Sequence, residues 1–220
     1  MARRPRIEFP GALYHVLARG NRKNKTFVSV SDYSDYTRRL WLYCKEDGHR
    51  LYTYSLMPNH VHILIQMGEK PLSKTMHKIQ FSYTQAFNYR HKLTGHVFEG
   101  RYKALLCQKE RYLLQLIRYI PINPVRAGIV QDPKDYLWSA HRLHLGKDGG
   151  WPYEDNPTLR IFSDDPKKAR KMYEQFVWDG IKEGHRDDLY KCKEQRILGD
   201  DDFVYQVIED EMSLIEKSVA

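Results

Sequence analysis

The 220-residue chain has no run approaching the ~20 consecutive apolar residues that a membrane-spanning helix needs. Its N-terminus, MARRPRIEFPG, is basic but lacks the apolar core of a secretory signal, so the chain is expected to be cytoplasmic. Cysteine is scarce. Cys44, Cys107 and Cys192 are odd in number, far apart and form no C-x-x-C pair. That argues against a disulfide framework and against a cysteine-built zinc site. Internal repeats and low-complexity tracts are missing as well.

Charge of one sign is also unevenly missing. The net charge of +8 hides a division: residues 1–150 hold 25 Lys/Arg against 11 Asp/Glu, a balance of +14, while 151–220 hold 11 against 17, a balance of −6. Solubility alone does not call for +14 over 150 residues, so the body points to a polyanionic partner, with nucleic acid leading. The length suits one ordinary domain plus an extension. The turn-rich GKDGG at 146–150 is the expected boundary between a body (1–150) and an acidic, mostly helical extension (151–220).

Within the body, GALYHVLARG (11–20) has the composition of a first strand, closed by the turn-prone GNRKN. Ser31 with Asp32 is the expected cap of a helix running to about Glu46, with Tyr36, Leu40 and Tyr43 on its inner face. RLYTYSLM (50–57), a Pro-Asn turn and HVHILIQ (60–66) form a hairpin. Residues 71–92 are a long helix with an inner stripe of Leu72, Met76, Ile79, Tyr83 and Phe87. A last strand at 101–108 precedes a helix at 109–120. The order β-α-β-β-α-β plus a helix predicts an α+β, ferredoxin-like antiparallel sheet with an additional helix. Two helices are expected in the extension, near 165–180 after Asp165-Pro166 and over 201–216.

The third strand carries the chemistry. Alternation puts Val61, Ile63 and Ile65 on one face and His60, His62 and Leu64 on the other. Neutral imidazole is the commonest protein metal ligand, although two hydrogen-bonded histidines on a half-exposed sheet are the plain alternative. Two imidazoles alone make a poor metal site. The helix after the last strand offers further groups in LIRYIPINPVRAG: Tyr119 and Asn123 are four apart, and Arg118 and Arg126 are phosphate-binding types. An Asn123 amide oxygen joining His60 and His62 suits a divalent ion, and the Tyr119 phenol is a candidate nucleophile. Pro121 predicts that the helix kinks or ends between them, which weakens their same-face placement.

MPNHVHILI, VFEGRYKALL and RYIPINPVRAGIV together resemble the HUH-type single-tyrosine transposases, in particular their REP-associated branch. The resemblance runs from about residue 8 to 143 and includes LARGNRK and LWSAHR. It implies that His60 and His62 are the paired histidines, that Tyr119 is the nucleophile and that Asn123 completes the metal site. Position 121 is proline where relatives would most readily carry histidine. The resemblance further implies a metal-dependent (Mg²⁺ or Mn²⁺) single-stranded DNA endonuclease and strand transferase, acting on hairpin-associated repeat DNA through a 5′-phosphotyrosine intermediate. Single-stranded or hairpin DNA is then the partner, and a homodimer stays open.

Arg19, Asn21, Arg22 and Lys23, with Lys25, sit at the first turn; Arg101 and Lys103 flank the start of the last strand. With Arg118 and Arg126, they are the expected DNA contacts. Tyr14, Tyr83 and Tyr89 could stack on bases, though core positions are the plainer reading. Glu99 is weighed as a metal helper against a solvated turn, and the eight histidines outside the motif as surface or core residues. Two other functions stay open. One is a metal phosphodiesterase using water, with Tyr119 structural. The other is a non-catalytic nucleic-acid-binding sheet, against which HVHILIQ lacks the aromatics of a stacking platform.

Overall fold

The computed structural model describes residues 6–182, 189 and 196–219; Cys192 and the basic residues 1–5 lie outside them. The elements follow in the order β1 (Leu13–Arg19), α1 (Val30–Glu46), β2 (Arg50–Met57), β3 (His60–Gln66), α2 (Leu72–His91), β4 (Lys103–Cys107) and α3 (Lys109–Arg126). Then come α4 (Ala140–His144), α5 (Pro166–Lys182), β5 (Ile197–Leu198) and α6 (Asp201–Val219). The sheet order is β2-β3-β1-β4-β5. Strands β1 to β4 pair antiparallel with β1 and β3 central, the ferredoxin-like arrangement, and β5 adds to the β4 edge in parallel.

Strand alternation sorts the sheet into two cores. On one face Val16, Leu56, Val61, Ile63 and Ile65 pack with Tyr36 and Leu40 of α1 and with the α2 stripe Leu72, Met76, Ile79, Tyr83 and Phe87. Each such side chain, fully buried, stabilises the fold by about 1.5–3 kcal/mol. The cap of α1 differs from expectation. Ser29, not Ser31, is the N-cap: its hydroxyl accepts from the Asp32 amide and the Asp32 carboxylate accepts from the Ser29 amide at 2.8 Å. Asp32, the third residue of the helix, is therefore the reciprocal partner in a capping box. Its carboxylate also receives Arg90 and His91 from the end of α2, which ties the two helices together.

On the other face Leu13, Leu64, Leu105 and Cys107 pack with Leu116, Ile117, Ile120 and Ile122 of α3. Helix α3 departs from the sequence expectation, because it does not stop at Ile120 but runs through Pro121 and Pro124 to Arg126. Each proline removes a backbone donor and in isolation would disfavour the helix by ~3 kcal/mol. Here Ile120 to Asn123 and Pro124 are all buried, and that packing outweighs the missing bonds. The helix ends in a Schellman motif: Gly128, at φ +68°, donates to the Val125 carbonyl and Ile129 donates to that of Pro124.

Composition changes at 146–150, but packing carries on across it. Leu159, Ala169, Tyr173 and Val177 belong to the same core as α3, and the Thr158 hydroxyl donates to the Tyr52 carbonyl at 2.6 Å. Helix α5 starts after Asp165, whose carboxylate accepts from the Lys168 amide at 2.6 Å, as the Asp-Pro signal predicts. Gly180 lets α5 come close to α3: a Cβ there would stand 2.5 Å from Cδ of Arg118. Cys44 and Cys107 are both buried. Among the described residues, no helix is long and apolar enough to cross a membrane.

Candidate active site

The register of the sheet gathers the histidines and two basic residues at one end. His60 pairs with Arg19 and His62 with Leu17, and Leu17 also pairs with Lys103 of β4. Alternation therefore sets His60 and Arg19 in one row and His62, Leu17 and Lys103 in the next, all on the face that α3 covers. The rings of His60 and His62 meet edge to face with centroids 5.0 Å apart.

Both imidazoles are held neutral. Burial, reinforced by the Arg19 charge, lowers the pKa of His60 to about 4. Burial also pushes His62 well below its ordinary value, with help from the neighbouring His15 and His60. Neutral rings are the form that ligates a metal.

The hydrogen bonds also settle one tautomer. Asn59 lies in the tight turn before β3, and its amide nitrogen donates to the Lys23 carbonyl at 3.3 Å. Its side-chain oxygen must then face Nδ1 of His60, 2.7 Å away. That oxygen only accepts, so the His60 proton sits on Nδ1 and the Nε2 lone pair is left for a ligand. His62 also has a ring partner, since its Nδ1 lies 3.1 Å from Nε2 of His15, a contact in which either ring can donate. Sequence reading passes over both supporting residues. Asn59 is visible beside the motif. His15 becomes visible only through the β1–β3 register.

The expected third donor, Asn123, stands on α3, which packs across β1, β2 and β3. Asn123 is buried there, and its side-chain nitrogen has no partner among the described residues. A polar amide buried without a bond is costly unless something else meets it. Among the described residues no cluster of three or more His, Cys, Asp or Glu could hold a metal. With Asn123 joining through its amide oxygen, the expected ligands would be two imidazoles and an amide, completed by solvent or substrate oxygens. This donor set fits a divalent cation.

Tyr119 lies one turn before Asn123 on the same uninterrupted helix and is only 3% exposed. The Arg126 guanidinium stacks on its ring, 4.6 Å from the centroid. With Arg118 and Arg126 it lines a small pocket whose far wall is Gly180 and Leu189 of the extension. Among the described residues that lining includes neither histidine. The structure therefore groups the expected residues in two sets. His60, His62, Arg19 and Lys103 share the sheet end, while Tyr119, Arg118 and Arg126 share the helix pocket.

The remaining expected residues scatter. Arg22 and Lys23 adopt positive φ in an exposed turn beside Asn21, and Arg101 is exposed just before β4. Glu99 is exposed and its amide donates to the Arg19 carbonyl, so it neighbours the site through its backbone. Tyr14 and Tyr83 are core residues, the plainer of the two readings: their hydroxyls donate to the carbonyls of Ile7 and Thr26. Tyr89 is 91% exposed.

The model of the family described as IS200-like transposases matches residues 9–123, which spans β1 through Asn123 and includes both histidines and Tyr119. The chain belongs to the IS200-like transposase family. No match is found among curated proteins. Among solved structures this transposase-family chain is similar to a REP-associated tyrosine transposase bound to a REP hairpin. That match has a TM-score of 0.57 and 17% identity, covering 69% of this chain and 89% of that one. At that identity the likeness bears on the fold. A candidate transposase from Deinococcus radiodurans R1 matches with a TM-score of 0.38 and 14% identity, over 52% of this chain and 93% of that one. That likeness is too slight to argue from.

Proposed function

We propose that this chain is a single-tyrosine DNA transposase of the REP-associated kind, which cuts and rejoins single-stranded DNA beside a hairpin. One observation carries the reading. Two neutral, adjacent imidazoles lie on the sheet face covered by the helix that bears Tyr119 and Asn123, with Arg19 and Lys103 at the rim. His60, His62 and Asn123 would hold Mg²⁺ or Mn²⁺. When bound, the ion neutralises charge on the scissile phosphate. Arg19, Lys103 and the exposed turn Asn21–Lys23 bind and orient the strand through its phosphates.

The Tyr119 hydroxyl oxygen attacks phosphorus. A new oxygen–phosphorus bond forms, the bond from phosphorus to the 3′ oxygen breaks, and the proton given up by the phenol is balanced by one taken up at the leaving 3′ oxygen. The products are a 5′-phosphotyrosine and a free 3′-OH. A second 3′-OH reverses the step and rejoins the strands without an external energy source. Arg126, stacked on the ring, places a cation beside the group that gains negative charge.

The test is incubation with labelled hairpin-flanked single-stranded DNA and Mn²⁺, followed by denaturing gels. A covalent protein–DNA adduct is expected. Cleavage without an adduct would turn the reading to a water-using phosphodiesterase, and binding without cleavage to a non-catalytic module.

A further inference from the structure

His15 stands on β1 with its ring wholly buried, on the same face as His62 and diagonally across the β1–β3 register from it. Their rings stack at a centroid distance of 5.3 Å, and Nε2 of His15 lies 3.1 Å from Nδ1 of His62. A hydrogen bond between two neutral imidazoles needs one donor and one acceptor, so only two arrangements exist. If His15 donates, the His62 proton is forced onto Nε2, and that ring cannot ligate a cation through Nε2. If His62 donates, its Nε2 keeps a lone pair, as the Nε2 of His60 does through Asn59.

We infer that His15 is a positioning residue whose Nε2 accepts the Nδ1 proton of His62, so that both motif histidines present Nε2 to one divalent cation. His15 then carries its own proton on Nδ1. The arrangement is the one by which a ligating histidine is generally oriented, through a bond from its second ring nitrogen. What is unusual is that the acceptor is another imidazole, on the adjacent central strand. The inference rests on the proposed metal role of His60 and His62 and adds the group that fixes one of them.

The test uses the full-length protein labelled with ¹⁵N at histidine. Long-range proton–nitrogen spectra report which ring nitrogen of His62 carries the proton, and Mn²⁺ titration by electron paramagnetic resonance reports affinity without any turnover. In the wild type, His62 should show a protonated Nδ1 and an unprotonated Nε2. His15→Leu removes the acceptor and should introduce the Nε2–H tautomer, with Mn²⁺ affinity falling by about 10–100-fold. His15→Gln places an amide oxygen near the missing Nε2 and should restore most of the affinity together with the original tautomer.

A wild-type His62 protonated on Nε2 would overturn the inference, whether or not His15→Leu folds. So would a folded His15→Leu protein with unchanged tautomer and affinity. Failure of the wild type itself to bind Mn²⁺ would instead remove the metal reading underneath.

Discussion

Replacing Tyr119 by phenylalanine separates the chemistry of that residue from its packing. The ring is 3% exposed, belongs to the core shared by α3 and α5, and stacks under Arg126. Phenylalanine keeps the ring, the apolar burial and a face for the guanidinium. Only the hydroxyl goes, which costs about 0.5–1.5 kcal/mol for a hydrogen bond lost and about 1–3 kcal/mol where a buried partner is left unsatisfied. Thermal unfolding should therefore shift by a few degrees, and single-stranded DNA affinity should change by no more than roughly tenfold. Cleavage should fall on the order of 10⁴-fold or more, because the attacking atom is gone. The assay pairs a denaturing gel with peptide mapping by mass spectrometry. Wild type should give an adduct on the peptide containing Tyr119, linked through a 5′ phosphate. A variant that still forms the adduct would refute the assignment. So would a wild-type adduct on another tyrosine.

His60→Ala or His62→Ala should abolish metal-dependent cleavage while filter binding retains most of the DNA affinity, since phosphate contacts supply that term; unchanged cleavage in the double variant would exclude the histidine site. Arg19→Gln with Lys103→Gln should flatten the dependence of log K on log salt by about 0.7 for each phosphate that is no longer neutralised, and an unchanged slope would remove both from the interface. The fold itself should show an acid-sensitive tie at Asp47. Burial alone would raise its carboxyl, but bonds from Lys70, Thr75 and Lys78 outweigh that and hold it below the usual carboxylate range. A depressed folded value stabilises above the unfolded pKa, about 3.9, and that gain is lost as pH falls through the folded value. Urea midpoints should therefore separate wild type from Asp47→Asn near neutrality and converge in acid; a gap that persists unchanged in acid would contradict this.

How much of the molecule is legible in its sequence depends on the range of the physics involved. Period-2 alternation in HVHILIQ and the 3.6-residue stripe from Leu72 to Phe87 report local faces, and both faces are buried where they should be. Pro121 misleads because the local rule is real and is overridden by tertiary burial from Ile120 to Pro124. The N-cap sits two residues before its expected place because Ser29 and Ser31 are equally good cap types and only geometry chooses. His15 cannot be singled out, because the β1–β3 register, which sets it beside His62, arises from pairing 47 residues away in sequence. The charge division at 150 is visible, whereas the docking of 151–182 onto α3 is not, because nothing in a composition reveals which surface a helix covers.

That docking makes truncation informative. Removing 151–220 would strip Leu159, Ala169, Tyr173 and Val177, each at most 1% exposed, from the core they share with α3. At about 1.5–3 kcal/mol for each large side chain fully buried, Leu159, Tyr173 and Val177 together stabilise by roughly 5–9 kcal/mol. A whole domain is stable by only about 5–15 kcal/mol. The truncated chain would also lack the strand that pairs with Leu106 and Cys107, and the Thr158 bond to Tyr52. A chain ending at Gly150 is therefore expected to melt far below the full protein in circular dichroism, or to aggregate through the exposed faces of α3 and β4. If instead it unfolds cooperatively at the temperature of the full chain, the extension adds nothing to the core. Helix α3 would then hold Tyr119 and Asn123 in place on its own.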